Sequence, residues 1–242
     1  NKMTNPWLSE EDLFIQTTAQ RFAKERLKDG YMDREKGTVL DRDLLREMGS
    51  LGLIAPTLSE EYGGIGASSV VMGLIAEAIA YADMRSEVLP KIAAGEILIQ
   101  LGLTEPRGGS DAANLAIKAE NKGDHYILNG EKTSITYSDQ AEMMLLFART
   151  DQNTPGARGV SAFLAPLDLP GVSKTCFEDF GTKAVGRGQV FFDDVKIPAS
   201  CLLGKEGQGF TKVMEGFDLS RILIALQCVG SAQASVDETW EY

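Results

Sequence analysis

Leu101-Gly102-Leu103-Thr104-Glu105-Pro106-Arg107-Gly108-Gly109-Ser110-Asp111 and Ile127-Leu128-Asn129-Gly130-Glu131-Lys132-Thr133-Ser134-Ile135-Thr136-Tyr137 bound the stretch on which the reading of this chain turns. The first piece passes from an apolar run into a glycine-rich polar loop. The second passes from a strand into a hydroxyl-bearing segment. We read them as two walls of one cofactor and substrate site. Gly108 and Gly109 let the backbone come close to a ligand. Thr104 and Ser110 offer hydroxyls, and Leu101 and Leu103 can lie against a flat ring. A turn that merely joins strands would have the same composition, and Ser and Thr in a strand also simply fit a pleated surface. The residues of the loop alone leave both readings open.

Outward from that stretch, residues 97 to about 202 read as β structure. Alternating or β-branched runs cover Ile97 to Leu103, Leu115 to Glu120, His125 to Asn129, Met143 to Ala148, Val160 to Ala165 and Gln189 to Val195. Turn signals such as Asn121-Lys122-Gly123-Asp124 and Asn129-Gly130 separate several of them. Strands at this spacing predict an antiparallel barrel or sandwich. Residues 1 to about 95 read as helical. Ser9 followed by Asp12 resembles a helix N-cap. Phe14, Ile15, Ala19, Phe22 and Leu27 then recur at helical spacing. A second helix is expected over Asp43 to Leu51, stopped by Gly52, and a largely buried one over Ser68 to Asp83. From Phe210 to Tyr242 the pattern is helical again. The expected class is α+β: a helical domain over 1–95, a β domain over 96–204, and the start of a second helical unit over 205–242.

The 242 residues carry a formal charge of -11, which argues against a nucleic-acid binder. No apolar run of about 18 residues predicts a membrane span, and the first residues lack the apolar core of a signal peptide. A cytoplasmic protein is expected, or one of the mitochondrial matrix if the source is eukaryotic. Cys176, Cys201 and Cys228 are odd in number and far apart, so they read as reduced, partly buried thiols. No cysteine or histidine cluster suggests a metal. His125, the only histidine, reads as an ordinary surface or half-buried residue of a strand rather than a catalytic one. The glycines of Glu60-Glu61-Tyr62-Gly63-Gly64-Ile65-Gly66 do not keep nucleotide-loop spacing and read as a turn.

Taken together, four segments carry a resemblance. Leu103-Thr104-Glu105-Pro106-Arg107-Gly108-Gly109-Ser110-Asp111 resembles the TEPxxGSD signature of the acyl-CoA dehydrogenase family. Asn129-Gly130-Glu131-Lys132-Thr133-Ser134-Ile135-Thr136 resembles its NGxKxWIT segment. Val190-Phe191-Phe192-Asp193-Asp194-Val195-Lys196-Ile197-Pro198, with Leu203-Gly204 and Gly207-Gln208-Gly209-Phe210, resembles its VxFxDVxVP and LGxxGxGF signatures. Glu60-Glu61-Tyr62-Gly63-Gly64 is similar to its EEYGG loop.

The resemblance implies a flavoenzyme that holds FAD against the β domain. By motif position, Leu101, Leu103 and Thr104 would contact the isoalloxazine ring, and Ser110 would lie between flavin and acyl-CoA. Ser134 and Thr136 would form the second wall, with Thr136 near flavin N5. Asp218 and Arg221 would contact the CoA portion; an ion pair on the helix surface is the plainer reading of that couple. The implied reaction removes a proton from the acyl α-carbon with a carboxylate and passes hydride from the β-carbon to flavin N5. It also implies electron-transfer flavoprotein as acceptor and a homotetramer as assembly. Two other readings stay open: a flavin oxidase or monooxygenase of the same fold, and a non-catalytic scaffold that binds acyl-CoA or flavin.

The sequence departs from the family pattern in three places. Ser134 stands where the family usually has tryptophan, which removes a large flat wall and predicts a pocket for a bulky or cyclic acyl group. Only Met84 to Val88 separate Ala80-Tyr81-Ala82-Asp83 from Leu89-Pro90, where the family places further helices. The expectation is a missing segment closed up in the numbering, visible as a break in the spacing of about 3.8 Å between consecutive Cα atoms. The chain also stops at Trp240-Glu241-Tyr242, before the helices that usually supply the catalytic glutamate. Some members carry the base just before the arginine matched by Arg221, but here that residue is Ser220. Asp83 is the alternative carboxylate, so the catalytic base is left unassigned.

Overall fold

The computed structural model describes residues 10–27, 30–54, 59–62, 85–181 and 183–241. The helical part begins with α1, Glu10–Phe22, which runs into a π turn over Ala23–Leu27. A short helix α2 follows at Tyr31–Lys36, then α3 at Arg42–Ser50. Helix α3 starts where a cap is available: the Asp41 carboxylate accepts from the Asp43 and Leu44 amides at 3.1 and 3.0 Å. It ends as expected beside Gly52, whose φ of 68° is left-handed. Helix α4, Arg85–Ala93, leads into the sheet. The helix expected over Ser68 to Asp83 and the cap expected at Ser9 lie outside the described residues. The backbone is one helix from Arg85 through Leu89, and Met84 lies outside the described residues.

The sheet has eight strands: β1 Ile99–Gly102, β2 Lys118–Asn121, β3 His125–Thr136, β4 Met143–Arg149, β5 Val160–Pro166, β6 Val172–Cys176, β7 Arg187–Pro198 and β8 Leu202–Leu203. Their order is β6-β7-β3-β2-β4-β5-β8, with β1 also paired to β4. The α+β class stands, but the sheet is mixed rather than wholly antiparallel. β1 runs parallel to β4, with Leu101 opposite Leu145. Parallel neighbours need a crossover of a dozen or more residues, and here the β2–β3 excursion supplies it.

Asn129-Gly130, read as a turn signal, instead lies within β3. β7 bulges opposite it at Asp193 and Asp194, where Asp194 has a φ of 50°. The Asn129 amide closes the irregularity, donating to the Asp194 carboxylate at 2.9 Å and accepting from the Asp194 N–H at 3.0 Å. Gly130 has to be glycine because a Cβ there would sit 2.8 Å from the Ile117 Cα. The two strands without a sequence signal are β6, mostly polar and exposed, and the two-residue β8.

β4 and β5 are apolar on both faces because both faces are covered. Met144, Leu146, Ala148, Phe163 and Ala165 pack into one core with Leu128, Ile135, Val190 and Ile197. Leu145, Phe147, Val160, Ala162 and Leu164 pack into a second core with Val88, Leu89 and Ile92 of α4. Helix α5, Gly209–Glu241, joins that second core through Val213, with Phe210, Met214 and Phe217 against it. Its start lies so close to β5 that a Cβ on Gly209 would be 2.5 Å from the Ala162 nitrogen. Farther along α5, Ile224, Val229, Val236 and Trp240 are exposed.

The helical part is also tied to the sheet by polar contacts. Arg42 pairs with Glu142 at 2.9 Å and donates to the Gln140 carbonyl at 2.7 Å. Glu142 in turn accepts from the Leu98 N–H at 2.7 Å, at the entrance to β1.

Candidate flavin and thioester site

The two walls meet where β1 ends. The Thr133 N–H donates to the Thr104 carbonyl at 3.0 Å. Just beside this bond, the Lys132 ammonium donates to the Leu103 carbonyl at 3.0 Å and to Glu105 Oε1 at 2.9 Å. Glu105 accepts two further bonds, from the Ala116 and Ile117 amides at 2.6 and 3.2 Å. Lys132 is fully buried and Glu105 nearly so. Burial pushes the lysine down to about 8 against the pull of Glu105. On the other side of the junction, Gln100 is buried. With its amide oriented to satisfy its neighbours, it donates to the Thr136 and Tyr137 carbonyls at 3.2 and 3.0 Å. Buried polar side chains therefore bridge the walls on both sides of one backbone bond.

A bulge in β3 decides which side chains face out. Strict alternation would put Lys132, Ser134 and Thr136 on the same face as Tyr126 and Leu128. Between Lys132 and Ile135 the register shifts by one residue, and Ser134 takes a left-handed φ of 58°. Lys132 and Ile135 both point inward, while Ser134 and Thr136 are exposed. Bulges re-aim side chains in this way.

Leu101 is exposed at 37%, an apolar side chain on the strand end of the first wall. Leu103 differs from expectation: its side chain packs into the core shared with α4 and α5, and it is only 6% exposed. Its carbonyl, held by Lys132, is what it contributes at the seam. Thr104 is half-buried and Ser110 exposed. Between them Glu105 to Gly108 form a turn closed by the Gly108 N–H to the Glu105 carbonyl at 3.2 Å. A Cβ on Gly109 would meet nothing within 4 Å. Packing within the chain thus gives no reason for glycine there, and the open approach fits a ligand.

The remaining candidates are placed as follows. Arg221 is exposed on α5; Asp218 lies three residues earlier on the same helix, its side chain outside the described residues. Asp83 also lies outside the described residues. His125 begins β3 and pairs with Asp124 at 2.5 Å, the place of an ordinary strand residue. All three cysteines are free. Cys201 is buried, which raises its thiol to about 11, whereas Cys176 and Cys228 are exposed rather than partly buried. Among the described residues no group of three or more metal-ligating side chains gathers, and no helix is long and apolar enough to cross a membrane.

Reading the sequence for site residues missed Glu105, Lys132 and Gln100. A signal was present: Lys132 keeps the parity of Tyr126 and Leu128, an inward position at which an unpartnered charge is costly. Arg149 was missed for the same reason. It is buried, and it donates to the carbonyls of Leu115, Ala113 and Thr154 at 2.9, 3.0 and 2.8 Å. It thereby fixes the chain just after Ser110-Asp111.

A mixed sheet with helices packed on one face and a polar seam between the β1 end and β3 defines an α+β protein, and its similarity to known proteins says of which family. Family models for the acyl-CoA dehydrogenase N-terminal, middle and C-terminal domains match residues 9–106, 100–195 and 207–242. The chain is 30% identical to a probable acyl-CoA dehydrogenase, YngJ, of Bacillus subtilis, over 97% of this chain and 69% of that protein. It is 31% identical to mitochondrial isovaleryl-CoA dehydrogenase of Pongo abelii, over 97% of this chain and 62% of that one. A crystal structure of a glutaryl-CoA dehydrogenase from Mycobacterium smegmatis in complex with FADH2 superposes with a TM-score of 0.77. It is 28% identical, over 88% of this chain and 60% of that one. The chain belongs to the acyl-CoA dehydrogenase family. It spans 62% of the length of the isovaleryl-CoA dehydrogenase, and that alignment runs over 264 residues. With 242 residues in this chain, the alignment must open gaps in it.

Proposed function

We propose that this chain forms the flavin-facing wall and part of the acyl-CoA-facing wall of an FAD-dependent acyl-CoA dehydrogenase. The observation that carries the reading is the junction at Thr104 and Thr133. It ties the segment that carries exposed Leu101 and the glycine turn to the segment that carries exposed Ser134 and Thr136, which supports this reading. The residues present fit a flat, polar-edged ring. Leu101 offers apolar surface, Gly109 an open approach, and Ser110, Ser134 and Thr136 hydrogen-bonding groups. FAD, when bound, supplies the hydride acceptor, while the protein orients the substrate and excludes water.

In this reading Leu101 covers the ring and keeps water from it. Thr104 and Thr136 hydrogen-bond its polar edge. Ser110 lies between ring and thioester. Asp218 and Arg221, about three turns into α5, hold the CoA portion. Donors aimed at the thioester carbonyl would stabilise the charge that develops as the α-proton leaves. Ser220 has no carboxylate to take that proton, and Asp83 is the candidate base. Serine at position 134, on a bulge and exposed, leaves the space of the family's indole open, which favours a bulky (for example branched) or cyclic acyl group. Electron-transfer flavoprotein as acceptor and a homotetrameric assembly complete the proposal.

The test is anaerobic mixing of the full-length, FAD-loaded protein with straight, branched and cyclic acyl-CoAs. Bleaching of the visible flavin band is expected, fastest with branched or cyclic chains. Repeating the reaction in air separates a dehydrogenase from an oxidase. If no acyl-CoA bleaches the flavin, the proposal is lost.

A further inference from the structure

The walls of the site are not joined by a regular ladder. β1 pairs along one edge with β4, and just past its end the Thr104 carbonyl accepts from the Thr133 N–H of β3. What surrounds that bond is side chain: the buried Lys132–Glu105 pair on one side and buried Gln100 on the other. A fully buried ammonium is costly to place, and nothing in the packing of an otherwise apolar strand face requires it. A leucine or methionine would fill the same position as Tyr126 and Leu128 do farther along β3. The lysine is distinctive in what its head reaches. It holds the Leu103 carbonyl and Glu105, the two residues flanking Thr104. Glu105 in turn holds the amides of Ala116 and Ile117, so the ion pair locks both ends of the turn that presents Ser110.

From this we infer that Lys132 and Glu105 are positioning residues: their pair fixes how the Thr104 segment sits against the Ser134–Thr136 segment, and so the shape of the face that the two present to the ring. The inference rests on the flavin reading for what lies against that face, but not for the placement of the two segments. The bulge at Ser134 follows from it. Lys132 must stay inward to reach Glu105, and the extra residue then turns Ser134 and Thr136 outward. One structural requirement thus fixes the direction of both hydroxyls.

The test uses the full-length protein as wild type, as K132M, and as the double variant E105Q/K132M. Three readouts are taken: melting temperature, hydrogen exchange at the Thr133 amide, and affinity for FAD. K132M strands a buried carboxylate and is expected to melt well below wild type. The double variant removes the stranded charge and should recover most of that loss. In the double variant the Thr133 amide should still exchange at least about tenfold faster than in wild type, while amides of β4 and β5 do not, and FAD affinity should fall about tenfold or more. A merely structural pair predicts otherwise: Thr133 exchange and FAD affinity would return to wild type together with the melting temperature, and that result overturns the inference. If wild type binds no FAD, the flavin reading fails by itself. The Thr133 exchange rate then still decides whether the pair holds the two segments together.

Discussion

β4 and β5 pair along their whole seven-residue lengths, in register and with both faces buried. β1 and β3, which carry the two walls of the site, meet through one backbone bond flanked by Lys132–Glu105 and Gln100. The first pair is held by ladder bonds and apolar burial, the second by buried polar side chains. The difference tells what each seam is for. A regular ladder fixes strands about 4.8 Å apart through many bonds at once. At the polar seam the relative placement of the two segments depends on a few side-chain atoms.

The sharpest way to separate the two seams is to remove one member of each. K132M leaves Glu105 buried without its cation and should cost about 3–5 kcal/mol in urea unfolding. Leu146→Ala, in the apolar seam, should cost about 2–5 kcal/mol with no selective loss of protection at Thr133. If Leu146→Ala loosened Thr133 as much as K132M does, the two seams would not be distinct.

A smaller effect is pH-dependent. The Lys132 pKa in the folded chain, about 8, lies below its ordinary 10.5. Between those values the unfolded chain holds a proton that the folded chain has released. The lysine's contribution to stability is therefore fully present above about 10.5 and is lost as pH falls through about 8. The stability of wild type relative to K132M should rise with pH across that window; a flat or falling difference would contradict the burial described. The smallest expected effect is at the bulge. Ser134→Gly relieves a left-handed side chain and should stabilise the protein by about 0.5–1 kcal/mol in thermal melts.

Much of this molecule can be read from residue order. The apolar runs from Met143 to Ala148 and Val160 to Ala165 announce strands because hydrophobic burial is periodic and local. The Gly52 stop that ends α3 is legible for a similarly local reason, whereas its Asp41 cap went unread. Leu101, Ser110, Ser134 and Thr136, which the motifs single out, are all exposed. What stayed hidden depends on contacts between distant segments. The inward turn of Lys132 is settled by Glu105, 27 residues away. Asn129-Gly130 has the composition of a turn but lies inside β3, because Asp194, 65 residues on, completes its hydrogen bonding. Leu103, expected against the ring, is claimed by α4 and α5. Alternation cannot foresee a bulge, and the bulge determines which face Ser134 and Thr136 occupy.

The central claim is that the polar seam shapes the face on which the flavin ring lies, with Leu101 against it. The direct measurement is FAD titration of the full-length protein as wild type and as Leu101→Asp, followed by flavin fluorescence. Leu101 is exposed at 37%, so the substitution should leave the fold and its melting temperature nearly unchanged. Wild type should bind FAD, and Leu101→Asp should bind it at least about tenfold more weakly. Equal binding by the two proteins, at equal melting temperature, would contradict the account.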